Sequence, residues 1–112
     1  MSKSRKAIQP YKIHFEIQAK FGILVSTTEG YWNVITNIKH PTVKGKEIEV
    51  KQTLHDPDEI RVSKKDKSVW LFYRKFAQRY LCVVVRFFKK RGFIITAYWT
   101  KKIKEGELKW KR

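Results

Sequence analysis

Several features are scarce or missing in this sequence. It contains one cysteine in 112 residues, so a disulfide bond within the chain is impossible. The segment before Pro10 is charged and has no apolar h-region, and no run approaches the roughly 18 apolar residues that a membrane span requires. We therefore expect no membrane association, a reducing compartment and a cytoplasmic location.

Motifs of several enzyme classes are also missing. The sequence has no glycine-rich phosphate loop, no nucleophile elbow and no HExxH zinc motif. Its three histidines and one cysteine lack the spacing of metal ligands, and the segment HDPDE is typical of a helix exit and turn. We expect no metal and no cofactor. Cys82 lies in the apolar run LCVVV, which predicts a buried, unreactive thiol.

Acidic residues are few compared with basic ones. There are 26 Lys and Arg against 10 Asp and Glu, a formal charge of +16. The excess is uneven, because residues 1–60 carry about +2 and residues 61–112 about +14. A compact basic surface favours an anionic partner, with nucleic acid the leading candidate. A solubilising lysine-rich surface, an acidic protein and anionic lipid remain alternatives.

The chain is predicted to form one domain over residues 11–112, preceded by a mobile basic arm at residues 1–10. The segment YKIHFEIQAKFGILVS alternates as a β-hairpin does. A helix follows, with Ser26, Thr27 or Thr28 as its cap, and Pro41 ends it near His40. A second, amphipathic helix is predicted in TVKGKEIEVKQTLHDP.

The remainder of the chain has the sequence pattern of β-strands. Four strands are predicted, in the segments DEIRVS, SVWLFYRKF, RYLCVVVRFF and GFIITAYWT, and the short polar links between them are typical of an antiparallel meander. The predicted fold is therefore α+β: a curved, four-stranded antiparallel sheet with an N-terminal β-hairpin and two helices packed on one face.

The last strand carries the pattern that points to a site. Side chains alternate between the faces of a strand, so Thr96, Tyr98 and Thr100 are expected to share one face with Ile94, opposite Phe93, Ile95, Ala97 and Trp99. If the strand registers match, a set of arginines and hydroxyls converges on that face. The set is Arg61, Ser63, Arg74, Arg86, Thr96, Tyr98 and Thr100.

Four segments, TTEGYWNVITNIKHP, EVKQTLHDPDEIRVS, SVWLFYR and FIITAYWTKKIKEG, resemble the phage-type branch of the barnase, EndoU, colicin and RelE-like nuclease superfamily. The resemblance covers residues 22 to about 106. It implies a RelE/barnase-like fold with RNA bound on the face of the sheet opposite the helices, and RNA cleavage without metal. It also implies catalytic positions within the matched motifs: His40, Arg61, Arg74, Thr96, Tyr98 and Thr100.

Each of these residues has a chemically reasonable role. His40 is a candidate base or acid, Arg61 and Arg74 can hold a phosphate, and the hydroxyls can donate to it. Tyr98 or Trp99 can instead stack on a base. Further RNA contacts are predicted for Ser63, Arg86, Lys101, Lys102 and Lys104. His14 and His55 are interpreted as structural.

The sequence thus predicts a metal-independent endoribonuclease that cleaves RNA through attack by the 2′-hydroxyl. A role as the toxin of a toxin–antitoxin pair is the accompanying hypothesis, with RNA and an acidic antitoxin as partners. Two alternatives use the same scaffold. One is a nucleic-acid-binding module without catalysis, and the other is a protein-interaction domain that has lost its activity. The oligomeric state is left open.

Overall fold

The computed structural model describes residues 8–112. Within them the chain forms seven strands and two α-helices, in the order β1, β2, α1, α2 and then β3 to β7. The bounds are β1 Ile13–Gln18, β2 Leu24–Thr28, α1 Glu29–Val34, α2 Glu47–His55, β3 Glu59–Val62, β4 Val69–Phe76, β5 Arg79–Phe88, β6 Arg91–Thr100 and β7 Glu107–Lys111. The fold is α+β, as predicted.

All seven strands found in residues 8–112 belong to one mixed sheet in the order β1-β2-β6-β5-β4-β3-β7. The strands β3, β4, β5 and β6 pair consecutively and antiparallel. The pair β2 and β6 is parallel, with Val25 opposite Gly92. Such a pair needs a long connection, and the segment containing both helices is part of it.

The prediction of a four-stranded antiparallel sheet is therefore wrong. The hairpin of β1 and β2 joins the edge of β6, and the C-terminal segment forms β7 along the other edge, beside β3. Sequence periodicity reports which side chains share a face of a strand but carries no information on which strand lies beside it. For that reason the sequence did not predict that β2 lies beside β6 or that β7 lies beside β3.

The first helix begins where predicted, and the helical segment as a whole ends close to the predicted position near His40. Thr28 is its N-cap, and the Thr28 Oγ1 accepts a hydrogen bond from the Tyr31 N–H at 3.1 Å. The helix then widens into a π turn, Ile35–Lys39, and Pro41 starts a short 3₁₀ turn, Pro41–Val43. The second helix starts later than predicted, because Val43 lies in that 3₁₀ turn, before α2 begins.

One face of the sheet, here called the helix face, packs against both helices. Its buried side chains include Phe72, Leu81, Val83 and Val85, which meet Trp32, Ile35, Val50 and Leu54 from the helical segments. Burial of these large apolar groups is the main stabilising term of the fold.

The opposite face, here called the outer face, has a smaller apolar cluster. It is formed by Val69, Leu71, Tyr73, Cys82 and Val84. Ile103, from the segment that links β6 and β7, packs against this cluster. Leu81 to Val85 are all buried because β5 lies at the centre of the sheet and is covered on both faces. The buried thiol of Cys82 agrees with the sequence prediction.

Residues 1–7 of the predicted basic arm lie outside the described part of the chain. The rest of the arm contacts α1: the Gln9 N–H donates to Glu29 Oε1 at 3.1 Å, and the Gly30 N–H donates to the Pro10 carbonyl at 3.3 Å. Between residues 8 and 112, no helix has the length and apolar character needed to cross a bilayer.

Candidate functional site

A cleft of about 420 Å³ opens on the outer face. Its floor is apolar and comes from β4 and β5, where Val69, Leu71 and Val84 lie side by side. The turn after β3 forms one wall, and the linker from β6 to β7 forms another. The cleft therefore has an apolar floor surrounded by polar and charged side chains.

A β-bulge in β6 determines which side chains reach the cleft. The pairing with β5 shifts between Val84 and Val85, which leaves Ile95 as the extra residue. As a consequence, Ile94 joins the helix-face core, whereas Ile95 packs against the outer-face cluster. The predicted sides of these two isoleucines are wrong, because strict alternation fails across a bulge.

Beyond the bulge the alternation resumes as predicted. Thr96 lies opposite Val84 and Tyr98 lies opposite Cys82, so both side chains belong to the outer face, and both line the cleft. The Thr96 Oγ1 is buried and has no hydrogen-bond partner within residues 8–112. An unpaired buried hydroxyl costs about 1–3 kcal/mol, so this one calls for an explanation.

Tyr98 is a hydrogen-bond donor in this cleft. Its hydroxyl donates to Glu105 Oε1 at 3.1 Å. Burial, and then the neighbouring Cys82 thiol, raise the pKa of Tyr98 well above its usual value. Burial likewise raises the pKa of Cys82 to about 12. At neutral pH both groups stay protonated, so neither acts as a base or a thiolate nucleophile.

His40 lies beside Tyr98, with the two ring centroids 5.6 Å apart. The pairing of β2 with β6 ends at Phe93, and beyond it the helical segment covers the edge of β6. There the Trp99 Nε1 donates to the Thr42 carbonyl at 3.2 Å. This covering segment brings His40 next to Tyr98, a residue predicted to act with it, although His40 is not among the residues that line the cleft.

Arg61 is on the outer face but is already engaged. It lies opposite Leu71, its Nε donates to Glu59 Oε2 at 2.5 Å, and its Nη1 donates to the Gly106 carbonyl at 3.1 Å. Arg61 therefore holds the end of the linker from β6 to β7. A phosphate would have to compete with both of these acceptors.

Arg74 does not converge with the other candidates, and that prediction is wrong. It lies opposite Leu81, a helix-face residue, and its Nη1 donates to the carbonyl and the carboxylate of Asp56 at 2.6 and 3.1 Å. Alternation along a strand does not give the register between neighbouring strands. The prediction therefore put Arg74 on the wrong face of the sheet.

Of the other predicted residues, only two line the cleft in residues 8–112. Ser63 lines the cleft, and Arg86 lies 3.5 Å from Asp66 in an exposed ion pair. The Thr100 hydroxyl is used locally, since it donates to the Lys102 carbonyl at 2.9 Å. Of the basic run after β6, Lys104 lines the cleft, whereas Lys101 and Lys102 are exposed outside its lining.

Three cleft residues were missed by sequence reasoning. Lys64 and Lys65 follow Ser63 directly, and Glu105 precedes Gly106 in the linker. The two lysines were read only as part of a polar link between strands. Their position immediately after a predicted site residue was the available signal. For Glu105, the local sequence contained no signal of a role in the cleft.

Two histidines have structural contacts, as expected. His14 Nε2 lies 2.9 Å from Glu47 Oε2, and the ring of His14 stacks on Trp32. His55 Nδ1 lies 3.0 Å from the Gln18 carbonyl. Across residues 8–112, no three His, Cys, Asp or Glu side chains are grouped so that they could hold a metal ion.

Comparison of the chain with protein-family models, with curated proteins and with solved structures finds no match in any of the three. The residues of the cleft are therefore the basis for a functional proposal.

Proposed function

We propose that this chain binds RNA in the outer-face cleft and cleaves it there without a metal ion. The observation that carries the proposal is the grouping of the Thr96 and Tyr98 hydroxyls with Lys64, Lys65 and Lys104 around an apolar floor. Hydroxyl donors and ammonium groups together suit a phosphodiester, while the apolar floor suits a base.

The unpaired Thr96 hydroxyl supports a ligand oxygen at this position. Thr96 Oγ1 lacks a partner within the described chain, and the side chain lines the cleft. A phosphate oxygen that accepts from Thr96 would satisfy the unpaired hydroxyl, whereas the Tyr98 hydroxyl already has Glu105 as its acceptor. In cleavage by the 2′-hydroxyl, such donors and the nearby lysines stabilise the charge that develops on phosphorus.

His40 is the candidate for proton transfer. Metal-free cleavage needs a base for the 2′-hydroxyl and an acid for the leaving 5′-oxygen. An imidazole changes its charge near neutral pH and can serve in either role. The ring of His40 lies 5.6 Å from the ring of Tyr98, which lines the cleft, and this proximity supports the role of His40.

Membership of the barnase, EndoU, colicin and RelE-like nuclease superfamily is also part of this proposal. Support comes from the consecutive antiparallel pairing of β3 to β6, with helices on one face and the cleft on the other. A cytoplasmic location and a role as a toxin belong to the same hypothesis.

An acidic antitoxin is the protein partner that we propose. Beside α1 lies an apolar depression of about 850 Å³, lined by residues that include Tyr11, Tyr31 and Val34. Tyr11 is 93% exposed, which is unusual for an aromatic side chain. The charge of +16 favours an acidic protein over a second copy of this chain.

Binding of nucleic acid without cleavage is the second candidate function. It is favoured by the placement of the two arginines, since Arg61 is engaged with Glu59 and Arg74 lies on the helix face. Within residues 8–112 no arginine lines the cleft, so the cleft has less capacity to stabilise a transition state than the sequence predicted.

Cleavage of a labelled mixed-sequence RNA in EDTA tests the proposal. We expect wild type to cleave and Tyr98→Phe to lose at least about tenfold in rate, because a donor to the phosphate is removed. His40→Ala should lose more, about a hundredfold or more. Salt-dependent binding by wild type with no cleavage would instead assign the second candidate function.

A further inference from the structure

Glu105 places a negative charge in a cleft that is otherwise basic. It is the sole acidic residue among the cleft-lining side chains in the described part of the chain, where the basic ones are Lys64, Lys65 and Lys104. Its Oε1 accepts the Tyr98 hydroxyl at 3.1 Å. One of the donors expected to hold a phosphate is therefore occupied by a carboxylate of the protein itself.

The position of Glu105 is fixed by its neighbours in the linker. On one side Ile103 packs against the outer-face cluster. On the other side Gly106 has a φ of +84°, and its carbonyl accepts from Arg61 Nη1 at 3.1 Å. A Cβ on Gly106 would lie 2.8 Å from the Val62 carbonyl oxygen, so only glycine allows this approach.

Glu105 does not neutralise the lysines of the cleft. The ion pairs within 4.0 Å that residues 8–112 form do not include Glu105, nor do they include Lys64, Lys65 or Lys104. The carboxylate is directed to a hydroxyl, and the three ammonium groups stay available to an anion from outside.

We propose that Glu105 is an internal competitor of phosphate: the carboxylate holds the Tyr98 hydroxyl until a phosphate group of the RNA displaces it. This inference rests on the proposed function, since it identifies a residue that controls affinity in the same cleft. A phosphate oxygen and the carboxylate oxygen need the same donor, and their like charges disfavour simultaneous occupancy. Glu105 therefore weakens RNA binding and promotes release of the product.

Binding of a fluorescent RNA probe with 2′-O-methyl groups tests the inference without interference from cleavage. The variants are Glu105→Gln, which keeps an amide oxygen for Tyr98, and Glu105→Ala, which removes the acceptor. Glu107→Gln is the matched control, because it removes the same charge two residues later, in β7. We expect both Glu105 variants to lower Kd by about tenfold and Glu107→Gln to lower it by about twofold at most.

Equal changes for Glu105→Gln and Glu107→Gln would overturn the inference, because net charge alone would then explain the result. Unchanged or weaker binding by both Glu105 variants, with normal binding by wild type, would also overturn it. A Glu105→Gln variant that loses cleavage of unmodified RNA while its probe Kd is unchanged would make Glu105 a general base instead. If no protein binds the probe, the proposed function itself fails, and this inference with it.

Discussion

The helix face and the outer face share the same central strands but differ in how their surfaces are completed. On the helix face, α1 and α2 cover the apolar side chains, and Arg74 is paired with Asp56. On the outer face, a short linker covers the cluster only in part and leaves a cleft beside the unpaired Thr96 hydroxyl. The helix face stabilises the fold, whereas the outer face leaves part of its surface open as a cleft.

The largest expected effect is on stability and concerns the helix face. Phe72 is fully buried there, so Phe72→Ala should lower the free energy of unfolding by about 3–5 kcal/mol through lost burial and a cavity. Phe88→Ala is the control, since Phe88 is 67% exposed and its loss should cost at most about 0.5 kcal/mol. Denaturant unfolding measures both, and similar costs would contradict the assignment of the core.

The two arginines provide the next comparison. Arg74→Ala should reduce stability, because it breaks the contacts with Asp56, but should change RNA cleavage by no more than about twofold. Arg61→Ala should reduce cleavage by about tenfold, because Arg61 anchors Gly106 at the edge of the cleft. Rates corrected for the folded fraction test this, and a larger loss of cleavage in Arg74→Ala would return Arg74 to the active site.

The smallest expected effect is a dependence of the folding stability on pH that arises from Asp56. The hydrogen bond from Arg112 is the main cause that holds the pKa of Asp56 below its usual value; burial opposes this shift, and the hydrogen bond from Arg74 adds to it. The lowered pKa in the folded state means that Asp56 contributes stability above about pH 4 and loses it as the pH falls further. Melting temperatures of wild type and Asp56→Asn should therefore converge in acid. A difference that is constant with pH would contradict this.

The sequence predicted those features that depend on local pattern. Four such features agree with the structure: a helix cap at one of Ser26, Thr27 and Thr28, the end of the helical segment before Pro41, the buried Cys82, and the shared face of Thr96 and Tyr98. Each follows from the chemistry of a few neighbouring residues.

The features that were missed depend on contacts distant in sequence. The parallel pairing of β2 with β6 joins segments more than 60 residues apart, so no local pattern encodes it. The bulge at Ile95 exchanges the faces of two isoleucines of the same type, which hydrophobicity cannot distinguish. Glu105 reaches Tyr98 only because Ile103 and Gly106 anchor the linker.

The most direct test compares two threonines that are equally unpaired. Thr96 and Thr27 each have a buried hydroxyl without a partner in residues 8–112, but only Thr96 lines the cleft. For both Thr→Val variants we expect unchanged or increased stability, because an unpaired hydroxyl is replaced by a methyl group. In EDTA, Thr96→Val should lose about a hundredfold in RNA cleavage, and Thr27→Val should retain the wild-type rate. Equal rates for the two variants would show that the cleft is not the site of cleavage.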